Sequence, residues 1–372
     1  MFGLSPSLYY PIFLLILLAI TLFYYDSLMH MRQRRLLLKV KDKNLVLLFA
    51  LLFVYVVGLR PVSSVFGDTV NYARGYEEMA AVYDSTQFTA SDWLFYQFMF
   101  RCSHIMPLSQ FFLIVETIYI GTMTWACWRL NKINFPILLI CCFGAFSFFS
   151  YGVNGIRNGM ACNMVMLAIT FINGNWRDKA ICAGLCVAAA NIHHSVMLPI
   201  VAMLFTYFYR APKAMFYFWA ASILVSLFLG GTVESFFAGM GYDDRLNDYI
   251  ASKADDDEMA QFSQTGFRWD FLLYSAMPIL MGWFVVFKRG IMDKKYLLLL
   301  GTYIYANAFW VMIIRSSFSN RFAYLSWFLY PAVLAYPLLR FPLWKKKQGR
   351  YTAYILLAHL GFTLFMAIIG KA

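Results

Sequence analysis

The stretch LYYPIFLLILLAITLFYY, residues 8–25, is the clearest indication of how this chain folds. It contains no Asp, Glu, Lys or Arg, and it is long enough to cross the hydrocarbon core of a bilayer as one helix. No basic residue precedes it, and no small-residue cleavage site follows it. We therefore expect a retained membrane span and no removable signal peptide.

Apolar runs of this kind recur to the end of the chain. Hydrophobic residues make up 61% of the 372 residues and charged residues only 13%, which excludes a soluble domain. The sequence predicts an all-α polytopic integral membrane protein, a single transmembrane domain over residues 1–372 with about twelve transmembrane helices. The predicted spans are Leu8–Tyr25, Leu45–Leu59, Ser109–Arg129, Ile133–Ser150, Asn158–Ile172, Ala180–Ile192, Ser195–Tyr209, Ala214–Gly231, Trp269–Phe287, Tyr296–Ile314, Phe322–Leu339 and Tyr351–Ile369.

Basic residues are distributed unevenly between the two sides of this arrangement. The connections that follow the odd-numbered spans hold 21 of the 31 basic residues and only four acids. Because loops rich in Lys and Arg stay in the cytoplasm, we predict that these connections are cytoplasmic and that both termini lie outside. The net charge of +12 therefore belongs mainly to cytoplasmic loops, and no nucleic-acid partner is expected.

The predicted outer side carries an unusual set of cations. Eight of its ten basic residues are Arg, whereas the cytoplasmic connections hold twelve Lys and nine Arg. Arg binds phosphate through a planar fork of donors, so this composition predicts an anionic lipid substrate at the outer face. The eight outer residues are Arg60, Arg74, Arg101, Arg157, Arg245, Arg268, Arg315 and Arg321.

Two predicted outer loops are long enough to form structure of their own. Residues 60–108 include the aromatic segment Trp93–Met106, which predicts an interfacial or re-entrant helix. Residues 232–268 carry the acidic run Asp255–Glu258 and predict a lid over an external cavity. The acidic run itself favours a solvated loop, with a divalent cation or an amino sugar as alternative partners.

Arg157 is the strongest candidate for an anion site. It lies in SYGVNGIRNGMA, residues 150–161, at the predicted outer start of the fifth span and close to Asn154. Small residues and a helix N-terminus beside a guanidinium favour anion binding over a contact with lipid headgroups. Arg315 and Arg321 flank a second polar turn, where they either embrace a diphosphate or anchor the turn to headgroups.

The segment GLRPVSSVFGDTVNY, residues 58–72, places three further candidates in the first outer loop. Arg60 ends the second span, and Asp68 and Tyr72 follow it. Asp68 has three interpretations: it pairs with an Arg, it accepts a proton from a sugar hydroxyl, or it caps a helix that begins near Val70. Helix capping is at least as well supported by the sequence as the other two.

Two histidines follow the short predicted span Ala180–Ile192. His193 and His194, with the polar residues beside them, indicate a helix break at membrane depth, which is tolerated only next to a buried or wet cavity. Either ring is a candidate general base, and a hydrogen bond to a neighbouring helix is the structural alternative. Because no third ligand accompanies them at a typical spacing, we expect no metal site.

Two other sets of residues have mainly structural interpretations. Arg268 and Asp270, at the predicted start of the ninth span, are spaced to pair with each other at the interface. The seven cysteines show no CxxC spacing and mostly lie inside predicted spans. They are typical of packing residues rather than of disulfides or a metal site.

In their order along the chain, these motifs resemble the EpsG/Wzy-type polysaccharide polymerase family of bacterial membranes. The resemblance covers residues 60–324 and rests on GDTVNY with Arg60 upstream, NGIRNG around Arg157, IHHSVMLP, FRWDFLLYS and SNRFAYL. It implies a GT-C-like glycosyltransferase architecture and an inverting, metal-independent enzyme without a cofactor. Such an enzyme joins repeat units carried on undecaprenyl diphosphate into O-antigen, capsule or exopolysaccharide, at the outer face of the bacterial cytoplasmic (inner) membrane.

The resemblance also implies roles for the candidate residues. Arg157, Arg315 and Arg321 would stabilise the departing diphosphate, with Arg60 in support. His193, His194 or Asp68 would orient or deprotonate the attacking hydroxyl. Tyr72, Asn154, Arg268 and Asp270 are further expected substrate contacts. The expected partners are the lipid-linked glycan, the bilayer, and a chain-length regulator and a flippase of the same pathway.

Three other functions share part of this pattern. A flippase or transporter of lipid-linked glycans would show internal repeats and cations on both sides, whereas the predicted outer face concentrates the candidate arginines. A membrane acyltransferase would be expected to meet its donor at the cytoplasmic face, where His30 is the only histidine. A glycan ligase has nearly the same physical requirements as a polymerase and stays open.

Overall fold

All regular structure in the described part of the chain is helical. The computed structural model describes residues 3–30, 42–82, 92–239, 266–315 and 319–369. The helices are α1 Tyr9–Met29, α2 Asn44–Gly58, α3 Thr69–Ala80, α4 Trp93–Ser103, α5 Leu108–Leu130, α6 Phe135–Phe143, α7 Phe148–Val153, α8 Ile156–Ile169, α9 Trp176–Ile192, α10 Met197–Phe208, α11 Pro212–Gly239, α12 Trp269–Trp283, α13 Lys294–Met312, α14 Ser319–Trp327, α15 Tyr330–Arg340 and α16 Gln348–Ile368.

The helices confirm a membrane protein with several spans. Among the residues that the structure describes, six segments are long and apolar enough to cross a bilayer. Three shorter apolar helices, Asn44–Gly58, Ile156–Ile169 and His194–Phe208, accompany them. The prediction of twelve spans and the GT-C-like architecture stay predictions. The six long segments are Pro6–Met29, Leu108–Leu130, Pro212–Thr232, Trp269–Lys288, Arg321–Arg340 and Lys345–Ile368.

One predicted span, Ile133–Ser150, is wrong as a continuous helix. Helix α6 ends at Phe143, and α7 begins at Phe148 after a turn through Gly144 and Ser147. This turn lies in an apolar environment, so its carbonyl groups need protein donors. His359 Nε2 donates to the carbonyl of Cys141 at 2.8 Å, and Thr363 Oγ1 donates to that of Gly144 at 2.7 Å.

The first of two compact units comprises residues 1–196 and 335–372. In this unit α1 packs on α16, and α5 packs between α2 and α8. Aromatic rings fill the space between α1, α2, α6 and α7 and include Phe13, Phe53, Phe143 and Phe148, with centroids 5.0–6.3 Å apart. These rings support α7, the helix that leads into the Arg157 segment.

The second compact unit comprises residues 197–334 and is organised around α13, which packs on α10, α11 and α14. Several of its buried polar side chains are paired within the unit. Asn307 accepts from Trp219 Nε1 at 2.8 Å and donates to Ser326 Oγ at 3.0 Å. Trp327 Nε1 donates to Ser275 Oγ at 2.7 Å. Such bonds satisfy polar side chains that no water reaches.

The helix break predicted near His193 is confirmed. Helix α9 begins with a capping box between Asn175 and Asp178 and ends at Ile192. His193 is extended, with φ −153° and ψ 107°, and a short 3-10 turn over His194–Val196 follows. His193 and His194 therefore lie outside the α-helices, and the side chain of His193 belongs to the site described below.

The structure describes most of the first predicted outer loop and only the two ends of the second. Residues 60–108 contain α3 and α4, and α4 coincides with the aromatic segment that predicted a helix. The predicted lid, residues 232–268, falls mostly outside the described residues, as do Arg245 and the acidic run Asp255–Glu258. Both loop roles, interfacial helix and lid, stay predictions.

Cysteine labelling checks the predicted orientation. Ile105 and Met292 have exposed fractions of 75% and 58%, and the sequence places them on opposite sides of the membrane. Ile105→Cys should react with a membrane-impermeant maleimide on intact cells, whereas Met292→Cys should react only after the membrane is opened. Background labelling should be small because six native cysteines are buried and Cys186 is half-buried. Labelling of Met292→Cys in intact cells would contradict the orientation.

Candidate functional site

The segment between α7 and α8 presents Arg157. Asn154 follows the last residue of α7, Gly155 occupies the N-cap of α8, and Arg157 is the second residue of that helix. The first turn of a helix exposes unpaired N–H groups and the positive end of its dipole, so a cation there is unfavourable without an anion nearby. The carboxylate of Asp92, described below, supplies such an anion at 2.8 Å from Arg157 Nη1.

A buried ion pair holds the end of α7, directly before the Arg157 segment. Arg60 Nη1 donates to Glu116 Oε1 at 3.2 Å, and the exposed fractions of the two side chains are 0% and 1%. Arg60 Nη1 also donates to the carbonyl of Val57 at 2.9 Å, and Nη2 donates to that of Val153 at 3.1 Å. The guanidinium stacks on Phe112 at 4.7 Å. Arg60 thus fixes the last residue of α7.

The segment that leads into α3 docks on the same residues. Thr69 Oγ1 donates to the carbonyl of Val153 at 3.0 Å, so this oxygen accepts from both Thr69 and Arg60. Asn154 Oδ1 accepts from the backbone N–H of Asp68 at 2.8 Å. Gly67 has a φ of +60°, and a Cβ added to it would overlap the Asn154 amide. Only glycine meets both requirements without strain.

Helix α3 carries Tyr72 to the guanidinium of Arg157. Arg157 Nε donates to the Tyr72 hydroxyl at 3.4 Å. Asp68 occupies the N-cap position of α3, but its side chain makes no capping hydrogen bond and instead accepts from Asn71 Nδ2 at 3.3 Å. The Asp68 carboxylate therefore pairs with a residue of α3, one helical turn before Tyr72.

Asp92 joins the arginine to the histidines. Its Oδ2 accepts from Arg157 Nη1 at 2.8 Å and from His193 Nδ1 at 3.3 Å. Its Oδ1 accepts from the backbone N–H of His194 at 2.7 Å. Arg157 Nη1 also donates to the Tyr96 hydroxyl at 3.0 Å. We name the group of Asp92, Arg157, His193, Tyr72 and Tyr96 the outer polar cluster, after the side of the membrane on which the sequence predicts it.

The electrostatics of the outer polar cluster keep Asp92 charged. Burial raises the pKa of the Asp92 carboxyl, but the hydrogen bond and charge of His193, the His194 N–H and the charge of Arg157 outweigh it. The net pKa lies below the usual Asp value, so the carboxylate stays ionised as the pH falls through the usual range. Since an ionised carboxylate only accepts hydrogen bonds, His193 Nδ1 carries a proton.

Four other predicted residues belong to the second compact unit. Arg268 and Asp270 form a bidentate ion pair at 3.0 and 2.8 Å, as their spacing predicted, and Arg268 stacks on Phe271 at 3.8 Å. Arg315 lies 5.6 Å from the Phe267 ring, and Arg321 is half-buried near the start of α14. Whether these residues bind substrate stays a prediction.

The structure therefore brings together Tyr72, Asn154, Arg157, His193 and Asp68, all of which the sequence singled out. Sequence reasoning missed Asp92 and Tyr96. An acid directly before the apolar segment that begins at Trp93 is an ordinary helix-start signal, so nothing marked Asp92 as the link between two other motifs. In the described part of the chain, no three His, Cys, Asp or Glu side chains converge as metal ligands.

Comparison with known proteins gives a family match. The model of the EpsG family matches residues 43–372, a stretch that includes every residue of the outer polar cluster. No curated protein and no solved structure gives a significant match. The family match confirms the resemblance that was based on the ordered motifs.

A double-mutant cycle tests the buried support. Glu116→Leu leaves the Arg60 charge unpaired, and we expect it to lower the free energy of unfolding by about 3–5 kcal/mol. Arg60→Met combined with Glu116→Leu removes both charges and should restore part of that loss. Thermal unfolding in detergent measures the effect, with the exposed Glu77→Gln as an acid-to-amide control. Additive losses in the double variant would show that the two side chains are not coupled.

Proposed function

The chain belongs to the EpsG family of polysaccharide polymerases, and on that premise we propose that it extends a glycan held on a polyprenyl diphosphate. The observation that carries this proposal is the contact of one carboxylate with both an arginine and a histidine. An arginine binds the leaving group of such a reaction, and a histidine accepts the proton of its nucleophile. The two functional groups lie beside one another.

The proposed reaction is one inverting glycosyl transfer. A hydroxyl at the non-reducing end of the acceptor repeat unit attacks the anomeric carbon of the donor glycan. The new glycosidic C–O bond forms as the bond between that carbon and the diphosphate breaks. The diphosphate leaves with the electron pair, and the hydroxyl proton passes to the base. Neither an oxidant nor a nucleotide is consumed.

Arg157 is our candidate for binding the diphosphate. Its Nε and Nη1 make the contacts with Tyr72, Tyr96 and Asp92, and Nη2 makes no hydrogen bond within the described residues. A diphosphate at Nη2 would also meet the N-terminus of α8. Preorganised donors of this kind stabilise the charge that develops on the leaving group, and they need no reorganisation during the reaction.

His193 is our candidate for the base. Because Nδ1 donates to Asp92, the acceptor's proton would be taken up at Nε2. The His193 side chain has an exposed fraction of 16%, so it is mostly buried but still reached by solvent. In contrast, His194 contributes its backbone N–H to Asp92 and its side chain is exposed. Of the two histidines, His193 therefore fits the base better.

Arg60 has a different role in this proposal from the diphosphate contact that the family resemblance implied. Its guanidinium is enclosed by Glu116, Phe112 and two backbone carbonyls, so it acts as a positioning residue for the Arg157 segment. Arg315 and Arg321 remain predicted diphosphate contacts. The outer face of the cytoplasmic membrane, the undecaprenyl carrier and the association with a flippase and a chain-length regulator remain part of the proposal.

Reconstituted polymerisation tests the arginine. Purified protein in liposomes with a synthetic lipid-linked repeat unit should give a ladder of products without nucleotide sugar. Arg157→Lys keeps the charge but loses the planar fork, so turnover should fall by about 100-fold or more. Arg74→Lys, an exposed arginine on α3, is the matched control.

Three results of this assay would contradict the proposal. Full turnover by Arg157→Lys would show that the reaction needs the positive charge and not the shape of the guanidinium. Transport of intact substrate across the bilayer without a ladder would indicate a flippase. A single transfer to an unrelated acceptor would indicate a ligase.

The same assay separates the two histidines. His193→Ala should lower turnover by about 10²–10⁴-fold, because it removes the group that accepts the proton. His194→Ala should cost less than about tenfold, since its backbone N–H is retained. Unfolding temperatures of both variants show whether a loss reflects misfolding. A larger loss for His194→Ala than for His193→Ala would reverse the assignment.

A further inference from the structure

We propose that Asp92 is a positioning residue that weakens the binding of the diphosphate and, in exchange, orients the base. The inference rests on the proposed function, and it adds a residue that the motifs of the family resemblance do not include. Asp92 lies directly before α4 and contacts Arg157 and His193, which come from two other segments of the chain. Its substitution should therefore change binding and turnover in opposite directions.

The backbone of Asp92 indicates that its side chain is held for these contacts. Its φ of 69° and ψ of 30° lie in the left-handed region, which is unfavourable for residues other than Gly and is best tolerated by Asn and Asp. It occupies the N-cap of α4, where a carboxylate ordinarily accepts from its own helix, but its side chain makes no such bond. Both oxygens turn instead to Arg157, His193 and the His194 N–H.

On the arginine, Asp92 acts as an internal competitor of the substrate. The Asp92 carboxylate lies 2.8 Å from Arg157 Nη1, and the exposed fractions of the two side chains are 8% and 12%. A diphosphate that binds the same guanidinium brings further negative charge next to this carboxylate. At this low exposure, repulsion between like charges is screened less than in water. The carboxylate therefore lowers the affinity of the site for the leaving group.

On the histidine, Asp92 orients the ring. The bond from His193 Nδ1 to Oδ2 fixes which nitrogen carries the proton and directs Nε2 away from the carboxylate. When the ring accepts a second proton during the reaction, the carboxylate stabilises the imidazolium that forms. Loss of the negative charge at Asp92 should therefore slow the proton transfer even where the substrate binds more tightly.

A lower affinity for the diphosphate is an advantage when the reaction is repeated many times. Each cycle leaves a lipid diphosphate at the arginine, and this product must depart before the next donor binds. A carboxylate beside the guanidinium hastens that departure because it repels the negatively charged product. Asp92 thus couples proton uptake at the base to release of the leaving group.

Asp92→Asn tests the inference with little change in shape. Asn tolerates the left-handed backbone as well as Asp does, so the substitution removes charge without adding backbone strain. We expect inorganic pyrophosphate to inhibit the variant at an approximately tenfold lower concentration than wild type. Turnover on the synthetic lipid-linked unit should fall by about 100-fold or more. Glu77→Gln, on the exposed face of α3, is the matched control for both measurements.

Several results of this experiment would contradict the proposed role of Asp92. Weaker pyrophosphate inhibition together with lower turnover would show a scaffolding role only and would overturn the inference. Unchanged values for both measurements would overturn it as well. If Asp92→Asn does not fold, Asp92→Glu retains the charge, and it should keep wild-type sensitivity to pyrophosphate while turnover falls. If pyrophosphate inhibits Asp92→Glu at a tenfold lower concentration than wild type, the claim that the carboxylate lowers the affinity for diphosphate is wrong.

The proposed function can fail separately. If Arg157→Lys has wild-type turnover and wild-type sensitivity to pyrophosphate, the assignment of the diphosphate to Arg157 fails. This conclusion does not depend on the result for Asp92→Asn. If Arg157→Lys loses pyrophosphate inhibition but Asp92→Asn behaves like wild type, only the role of Asp92 fails.

Discussion

A cation inside a membrane protein needs a nearby anion, and this requirement organises the predicted outer side of the molecule. Three of the predicted outer arginines meet it with a carboxylate: Arg60 with Glu116, Arg157 with Asp92 and Arg268 with Asp270. The pairs differ in their access to solvent. Arg60 and Glu116 are sealed, whereas the Arg157 pair keeps a small exposed area. A fully buried pair can only hold structure, whereas a partly exposed pair leaves part of its guanidinium open to a further contact.

The sealed pair and the open pair act on the same short segment. Arg60 holds the end of α7 through the carbonyl of Val153, and Arg157 follows in the first turn of α8. The interruption between the two helices is therefore fixed from the buried side, while the guanidinium that follows it stays accessible. This division fits the reaction that we propose, because a charge that stabilises a leaving group must not move as the bond breaks.

Much of the fold was predictable because apolar length and charge bias directly reflect the bilayer. The break at His193 was predictable as well, since Asn, His and Ser between two apolar runs are costly at membrane depth unless they line a polar cavity. The break at Gly144 was not, because Gly and Ser are ordinary residues within membrane helices. Arg157 was marked by its small neighbours. Asp92 was not, because its partner His193 lies 101 residues away and pairing over such a distance leaves no local pattern.

The carbonyl of Val153 has a consequence for comparing relatives of this chain. Arg60 and Thr69 both bond to a backbone oxygen, which every amino acid at position 153 supplies. The two bonds therefore place no restriction on the side chain at that position. Selection on the anchor would be visible instead as correlated change at positions 60 and 116, whose side chains bond directly to each other. Alignments that score each column separately would overlook the point where the two segments meet.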